Sequence, residues 1–168
     1  NRKIMKHNIL YSFRRCPYAI RARWALLNTN QVVELREVEL KNKPSELIQI
    51  SKKATVPVLK TTLNKVIDES LDIMKWSIER SNMHKFFGDN NDKSKEIFSL
   101  IETNDNQFKY HLDRFKYASR FNFEEAETHR AAAMKILLSL NNRLKEFATK
   151  GEPLFLVDAK ETLADWAI

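Results

Sequence analysis

Apolar and polar positions follow a mixed strand-and-helix rhythm in the first half of the chain and a purely helical one in the second. Residues 7–12 (HNILYS) are a short apolar-rich run between polar neighbours, which predicts a buried strand. Pro17 stands where a helix can begin, since proline at the first helical position gives up no hydrogen bond the helix needs. Ile20, Trp24 and Leu27 recur at helical spacing as the apolar face, with Arg21 and Arg23 pointing elsewhere, and residues 28–30 end the helix. Residues 31–40 alternate Val and Leu with Glu and Arg, the pattern of a strand with one wet face. A short helix over 44–50 follows, then brief strands over 56–60 and 65–68 around a turn at Leu63 and Asn64. A helix over 70–80 opens on Ser70 as its cap, with Leu71, Met74 and Ile78 inward.

Beyond the polar stretch 81–92, which contains Gly88, only helical periodicity remains. Ile97, Ile101, Phe108, Leu112 and Phe115 form one stripe. Leu137, Leu140, Leu144 and Phe147 form another, on a helix running from about Phe123 to Lys150. Thr162-Leu-Ala-Asp165 has the spacing of a helix-opening capping box, Asp165 standing in for the usual Glu. Only three residues follow it, which implies a natural chain that continues. The order is βαβα, ββα, then all helix, with a boundary in the eighties. Two domains are expected, over residues 1–84 and 85–168, the second incomplete.

Composition narrows the class. Of 168 residues 43% are hydrophobic and 30% charged, the balance of a soluble globular protein. Two glycines and four prolines argue against a turn-rich all-β fold. No apolar run approaches the ~18–20 residues that cross a bilayer. The opening residues 1–7 lead into no signal-peptide core, so a cytoplasmic location is expected. The net charge of +7 is concentrated early: residues 1–84 hold 16 Lys and Arg against 8 Asp and Glu, and residues 85–168 hold 13 against 14. The basic residues are scattered and no nucleic-acid motif is present, so no nucleic-acid partner is expected; a smaller anionic ligand would also benefit from that field, and a solvated positive surface is its most common meaning.

A single cysteine, Cys16, excludes an internal disulfide framework and a Cys-based zinc cluster. It follows a predicted strand and immediately precedes a predicted helix. Unpaired backbone N–H groups and the positive end of the helix dipole favour an anion there, and the thiolate is the reactive form of the side chain. Arg14, Arg15 and Arg21 lie nearby in sequence. The four histidines, His7, His84, His111 and His129, show no ligand spacing, so no metal is expected. Trp24, Trp76 and Trp166 fall in helical segments as core or interface residues.

Ser12-Phe-Arg-Arg-Cys16-Pro17-Tyr18-Ala19 resembles the active-site turn of glutaredoxins and of the cysteine-type cytosolic glutathione transferases, omega-like in character. Alanine at position 19 replaces the second cysteine of a dithiol glutaredoxin, so a redox cycle needs an external thiol. Three stretches extend the resemblance in order. Leu40-Lys-Asn-Lys43-Pro44 resembles the segment supplying a lysine to glutathione, Thr55-Val56-Pro57-Val58 the cis-proline turn, and Asp68-Glu69-Ser70 the pair that grips the γ-glutamyl end. The motif-bearing match covers about the first 80 residues. Glu161 departs from it, standing where the family places an apolar residue before the capping threonine.

The resemblance implies a thioredoxin-like α/β N-terminal domain followed by an all-α helical C-terminal domain. It also implies an enzyme with Cys16 as nucleophile and glutathione as co-substrate, held by Lys43, Val56, Pro57, Glu69 and Ser70. Glutathione-dependent thiol transfer or reduction through a mixed disulfide is the expected reaction, with a small electrophile or disulfide as second substrate and a homodimer as the default assembly. Two alternatives stand beside it. One is conventional glutathione conjugation assisted by Tyr11 or Ser12, and the other is a non-catalytic interaction protein that kept the transferase fold.

Overall fold

The computed structural model describes residues 7–149, 151 and 154–168. Residues 1–6, Lys150 and the side chain of Phe147, on which the sequence reading drew, lie outside them. The chain divides into two compact units between His84 and Lys85.

In the first unit β1 (Asn8–Ser12), α1 (Pro17–Asn28), β2 (Val33–Glu37), α2 (Ser45–Ile50), β3 (Val58–Lys60), β4 (Val66–Ile67) and α3 (Ser70–Glu79) follow one another. The strands form one sheet in the order β2-β1-β3-β4. β1 pairs parallel with β2, which requires the α1 crossover, and antiparallel with β3, which pairs antiparallel with β4. Alternation along β1 sends Leu10 to one face, where Ala22, Leu26, Leu59, Ile67 and Ile73 surround it. Ile9 and Tyr11 face the other way and pack with Val38, Leu47 and Val58. Asn64, at φ 61°, turns β3 into β4 in a left-handed conformation that asparagine tolerates.

Two readings of helix faces are corrected here. Ile20 and Trp24 are about half-exposed and Leu27 is 72% exposed, whereas Arg21 is only 7% exposed. The buried face of α1 is Ala19, Arg21, Ala22, Ala25 and Leu26. Alanines let α1 approach α3 closely. At the start of α3 the cap is Glu69, and Ser70 is the first helical residue. The Ser70 hydroxyl accepts a hydrogen bond from Arg21 instead of capping the helix. Inward on α3 are Ile73, Met74, Ser77 and Ile78, with Leu71 half-buried.

The second unit contains α4 (Asn91–Glu102), α5 (Lys109–Lys116), α6 (Ala126–Thr149) and α7 (Leu163–Ala167). Gly88, at φ 95°, precedes α4, and a Cβ there would stand 2.7 Å from the backbone nitrogen of Ser94. A π-helical segment, Thr103–Phe108, joins α4 to α5 without a break in the helix. Ile97 and Ile101 are buried, but Phe115 and Leu137, assigned to apolar stripes, are largely exposed. The capping box at Thr162 and Asp165 is present. Asp165 Oδ2 accepts from the Thr162 backbone N–H at 2.8 Å and hydroxyl at 2.9 Å, and its Oδ1 accepts from the Leu156 N–H at 2.8 Å. Glu161, the departure noted above, accepts the Trp166 indole N–H at 3.3 Å. No helix among the described residues is long and apolar enough to cross a membrane.

His111 and His129 meet between α5 and α6, their Nδ1 atoms 2.8 Å apart. Tyr110 packs edge-on against both rings, and Arg114 lies 3.5 Å from the centre of the Tyr110 ring. The Glu125 carboxylate is 3.7 Å from His129 Nε2.

Two stability predictions follow from this unit. Asp165→Ala strips three donors of one carboxylate and is expected to cost about 1–3 kcal/mol, read as a lower urea midpoint. Burial, then the charges of His129 and Arg114, hold His111 below its ordinary value of 6.5. The unfolded chain therefore binds the His111 proton more tightly, and stability falls as pH drops below 6.5. The wild-type thermal midpoint should fall between pH 7.5 and pH 5.5 more steeply than that of His111→Asn. Parallel pH profiles would contradict the linkage.

Candidate functional site

Cys16 sits at the junction of β1 and α1 because the turn before it is held from both sides. Its backbone N–H donates to the Phe13 carbonyl at 3.0 Å, and its carbonyl accepts the first helical bond, from Ile20, at 2.9 Å. Cys16 is the N-cap of α1 in extended conformation, with Pro17 as the first helical residue. Arg23 reaches back along the helix to donate to Ser12 Oγ at 2.5 Å, the Phe13 carbonyl at 3.3 Å and the Arg14 carbonyl at 3.0 Å. From the opposite side Glu37 Oε1 accepts the Arg14 N–H at 2.7 Å. The thiol is partly exposed and donates to the Val56 carbonyl at 3.6 Å. The Val56–Pro57 bond is cis, and Pro57 is buried at the entry to β3.

The start of α3 supplies a second cluster. Glu69 is exposed and ion-paired with Lys53. Ser70 is 4% exposed, and its Oγ accepts from Arg21 Nε at 3.0 Å. The Arg21 guanidinium lies 4.9 Å from the centre of the Tyr18 ring. Asp68 accepts a hydrogen bond from the Ser51 hydroxyl at 3.4 Å. The fold thus brings Cys16 to the Val56 carbonyl, while Glu69 and Ser70 are chain neighbours at the start of α3. Lys43 lies half-buried in the loop between β2 and α2, outside these contacts.

The hydroxyls considered as alternatives to Cys16 are engaged elsewhere. Tyr11 is 2% exposed and donates to Glu46 Oε2 at 3.0 Å, with Arg36 donating to its oxygen at 3.2 Å. Burial, then the Glu46 carboxylate, raises its pKa above the ordinary tyrosine value against the opposing pull of Arg36. Ser12 is fully buried under Arg23. The Tyr11 hydrogen is therefore spent on Glu46, whereas the Ser12 oxygen serves as an acceptor.

Sequence reasoning missed Arg23 and Lys53, and it set Arg21 beside Cys16 rather than against Ser70. The signal for Arg21 was present: it shares a helical face with Ala22 and Ala25, the small residues that make room for it. Lys53 and Glu69 are 16 residues apart across two strands, and no spacing rule reaches that far. The same holds for His111 and His129, 18 residues apart. Among the described residues no group of three or more His, Cys, Asp or Glu side chains is arranged to hold a metal ion.

Residues 10–84 match the family model of the glutathione S-transferase N-terminal domain. No curated protein matches the chain. Several solved structures share its fold. Ure2p in complex with glutathione superposes with a TM-score of 0.79 at 16% identity, over 99% of this chain and 82% of that one. Glutathione transferase Omega 3C from Trametes versicolor gives 0.80 at 20% identity, over 97% and 70%. A Tau class glutathione S-transferase from mango, Mangifera indica, gives 0.72 at 24% identity, over 96% and 72%. At these identities the likeness is one of fold: a thioredoxin-like α/β domain with a four-stranded sheet, then a helical region, the glutathione transferase architecture. The family match is confined to residues 10–84, and the solved structures extend the shared fold over the rest of the chain.

Because Cys16 is partly exposed, iodoacetamide should alkylate the folded protein to one adduct per chain. Labelling that requires denaturant, followed by mass spectrometry, would contradict the placement of the thiol.

Proposed function

We propose that this chain is a glutathione transferase that works through Cys16, transferring or reducing thiols by way of a mixed disulfide. One observation carries the reading: Cys16 is the N-cap of α1 with its sulfur 3.6 Å from the Val56 carbonyl, while the Tyr11 hydroxyl is committed to Glu46. Helix N-termini favour anions, and a thiolate is the nucleophile of thiol–disulfide exchange.

In the proposed reaction the Cys16 thiolate attacks the glutathione sulfur of a mixed disulfide. The old S–S bond breaks, the substrate leaves as a thiolate that takes up a proton, and glutathione stays joined to Cys16. A second glutathione thiolate then attacks that bond, releasing oxidised glutathione and regenerating Cys16. Electrons come from glutathione throughout, which suits a chain with no second cysteine.

The N-terminal domain holds the tripeptide in this reading. The Val56 backbone, aligned by Pro57, pairs with the cysteinyl residue as an added strand would. Glu69 takes the ligand's amino group, since a carboxylate paired with Lys53 still accepts further donors. Ser70 and the first turn of α3 take the γ-glutamyl carboxylate, and Lys43 the glycyl end. Fold neighbours solved in complex with glutathione add weight to the choice of ligand.

After incubation with oxidised glutathione, intact mass should rise by one glutathionyl adduct, absent from Cys16→Ser. Thiol transfer should fall by at least about 10²-fold in that variant, the scale of losing a nucleophile. Undiminished activity in Cys16→Ser would overturn the assignment and favour conventional conjugation.

A further inference from the structure

Two of the arginines around Cys16 are turned to solvent. Arg14 and Arg15 directly precede it in the chain, and both are exposed. The Arg15 guanidinium lies 5.6 Å from the centre of the Phe13 ring, and neither arginine is ion-paired with a carboxylate among the described residues. Glu37, which reaches this turn from β2, accepts the Arg14 backbone N–H at 2.7 Å. Other cations of the unit are matched within the fold: Arg36 meets Glu46, Lys53 meets Glu69, and Arg23 meets Ser12 and the turn carbonyls.

Covalent geometry places this charge at the thiol. Consecutive Cα atoms are about 3.8 Å apart, and two residues span at most about 7 Å. The field of an exposed charge extends over a Debye length, about 8–10 Å at ordinary salt. Because Arg23 and Glu37 hold the backbone of the turn, the two arginines stay beside Cys16. Thiol–disulfide exchange gives that field an object. When Cys16 attacks the glutathione sulfur of a mixed disulfide, the electron pair of the broken S–S bond passes to the second thiol. That thiol leaves as a thiolate and takes its proton from water. Carboxylates beside the leaving sulfur are drawn in on approach and held through the step.

We infer that Arg14 and Arg15 select an anionic second substrate, a glutathione mixed disulfide whose leaving thiol is flanked by carboxylates, as on an acidic peptide. The inference rests on the reading of Cys16 as the nucleophile of thiol transfer. The two arginines set which substrate is taken, and the exchange of sulfurs is the work of Cys16.

Three mixed disulfides of glutathione test it, made with the acetylated and amidated tripeptides Glu-Cys-Glu, Gln-Cys-Gln and Lys-Cys-Lys. They share the glutathionyl half and differ only in the charge beside the leaving sulfur. Uncatalysed exchange with glutathione, itself an anion, is slowest on the acidic disulfide, so a preference for it belongs to the protein. In about 20 mM salt, kcat/KM should favour the acidic over the neutral disulfide by about tenfold, with the lysine disulfide poorest. In about 500 mM salt the preference should shrink below about threefold. The double variant Arg14→Gln, Arg15→Gln should bring the acidic-to-neutral ratio within about twofold at either salt. Circular dichroism checks its fold, and if it does not fold, each single variant should keep only about threefold preference. Wild-type turnover indifferent to substrate charge, or a preference that the double variant keeps, overturns the inference and leaves the Cys16 reading standing. Equal losses on all three disulfides assign the arginines to the shared glutathionyl half and overturn it too. A wild-type protein inactive on all three overturns the thiol-transfer reading and this inference with it.

Discussion

The grip of Arg23 on the turn between β1 and α1 is the constraint from which the site takes its shape. One guanidinium meets Ser12 and the carbonyls of Phe13 and Arg14, and Glu37 closes the turn from the neighbouring strand. Three residues of irregular chain are thereby fixed as firmly as the strand and helix they join. A side chain on a loose turn would lose in orientation what it gained in access. Cys16 keeps both, because it is partly exposed while its own backbone is fully hydrogen-bonded.

Charge on the first unit is organised around polar functions. Its excess of basic residues includes Arg21 beneath Ser70, Arg23 beneath the Cys16 turn, Arg36 against Tyr11 and Lys53 on Glu69. Each holds a specific oxygen. Two of the four, Arg21 and Lys53, meet side chains at the start of α3.

The order of elements was legible in the sequence because periods of two and of three to four residues are set by backbone geometry alone. The strand-to-helix position of Cys16 was legible for the same reason, with Pro17 marking the helix start. The buried face of α1 was not. Hydrophobicity nominated Ile20, Trp24 and Leu27, but α1 packs closely on α3, and close approach of two helices favours the alanines. Ser70 was read as a cap since serine is a strong capping residue, yet a buried arginine 49 residues away competes for its hydroxyl. The contacts of Lys53 with Glu69 and of His111 with His129 depend on tertiary packing, which no local pattern encodes.

The wide turn at Thr103–Phe108 bears on how the second unit is assembled. α4 packs on α7 with Ile97 and Ile101 buried, while α5 packs on α6. A straight α-helix would carry a single apolar seam along its whole length, drifting only slowly around its axis. The π-helical turn inserts an angular offset, so one uninterrupted rod presents two seams aimed at two different neighbours. Winding those same residues as a regular α-helix would rotate everything beyond it by about 100°, one residue's turn. The width of that turn therefore acts as a gear setting for the bundle.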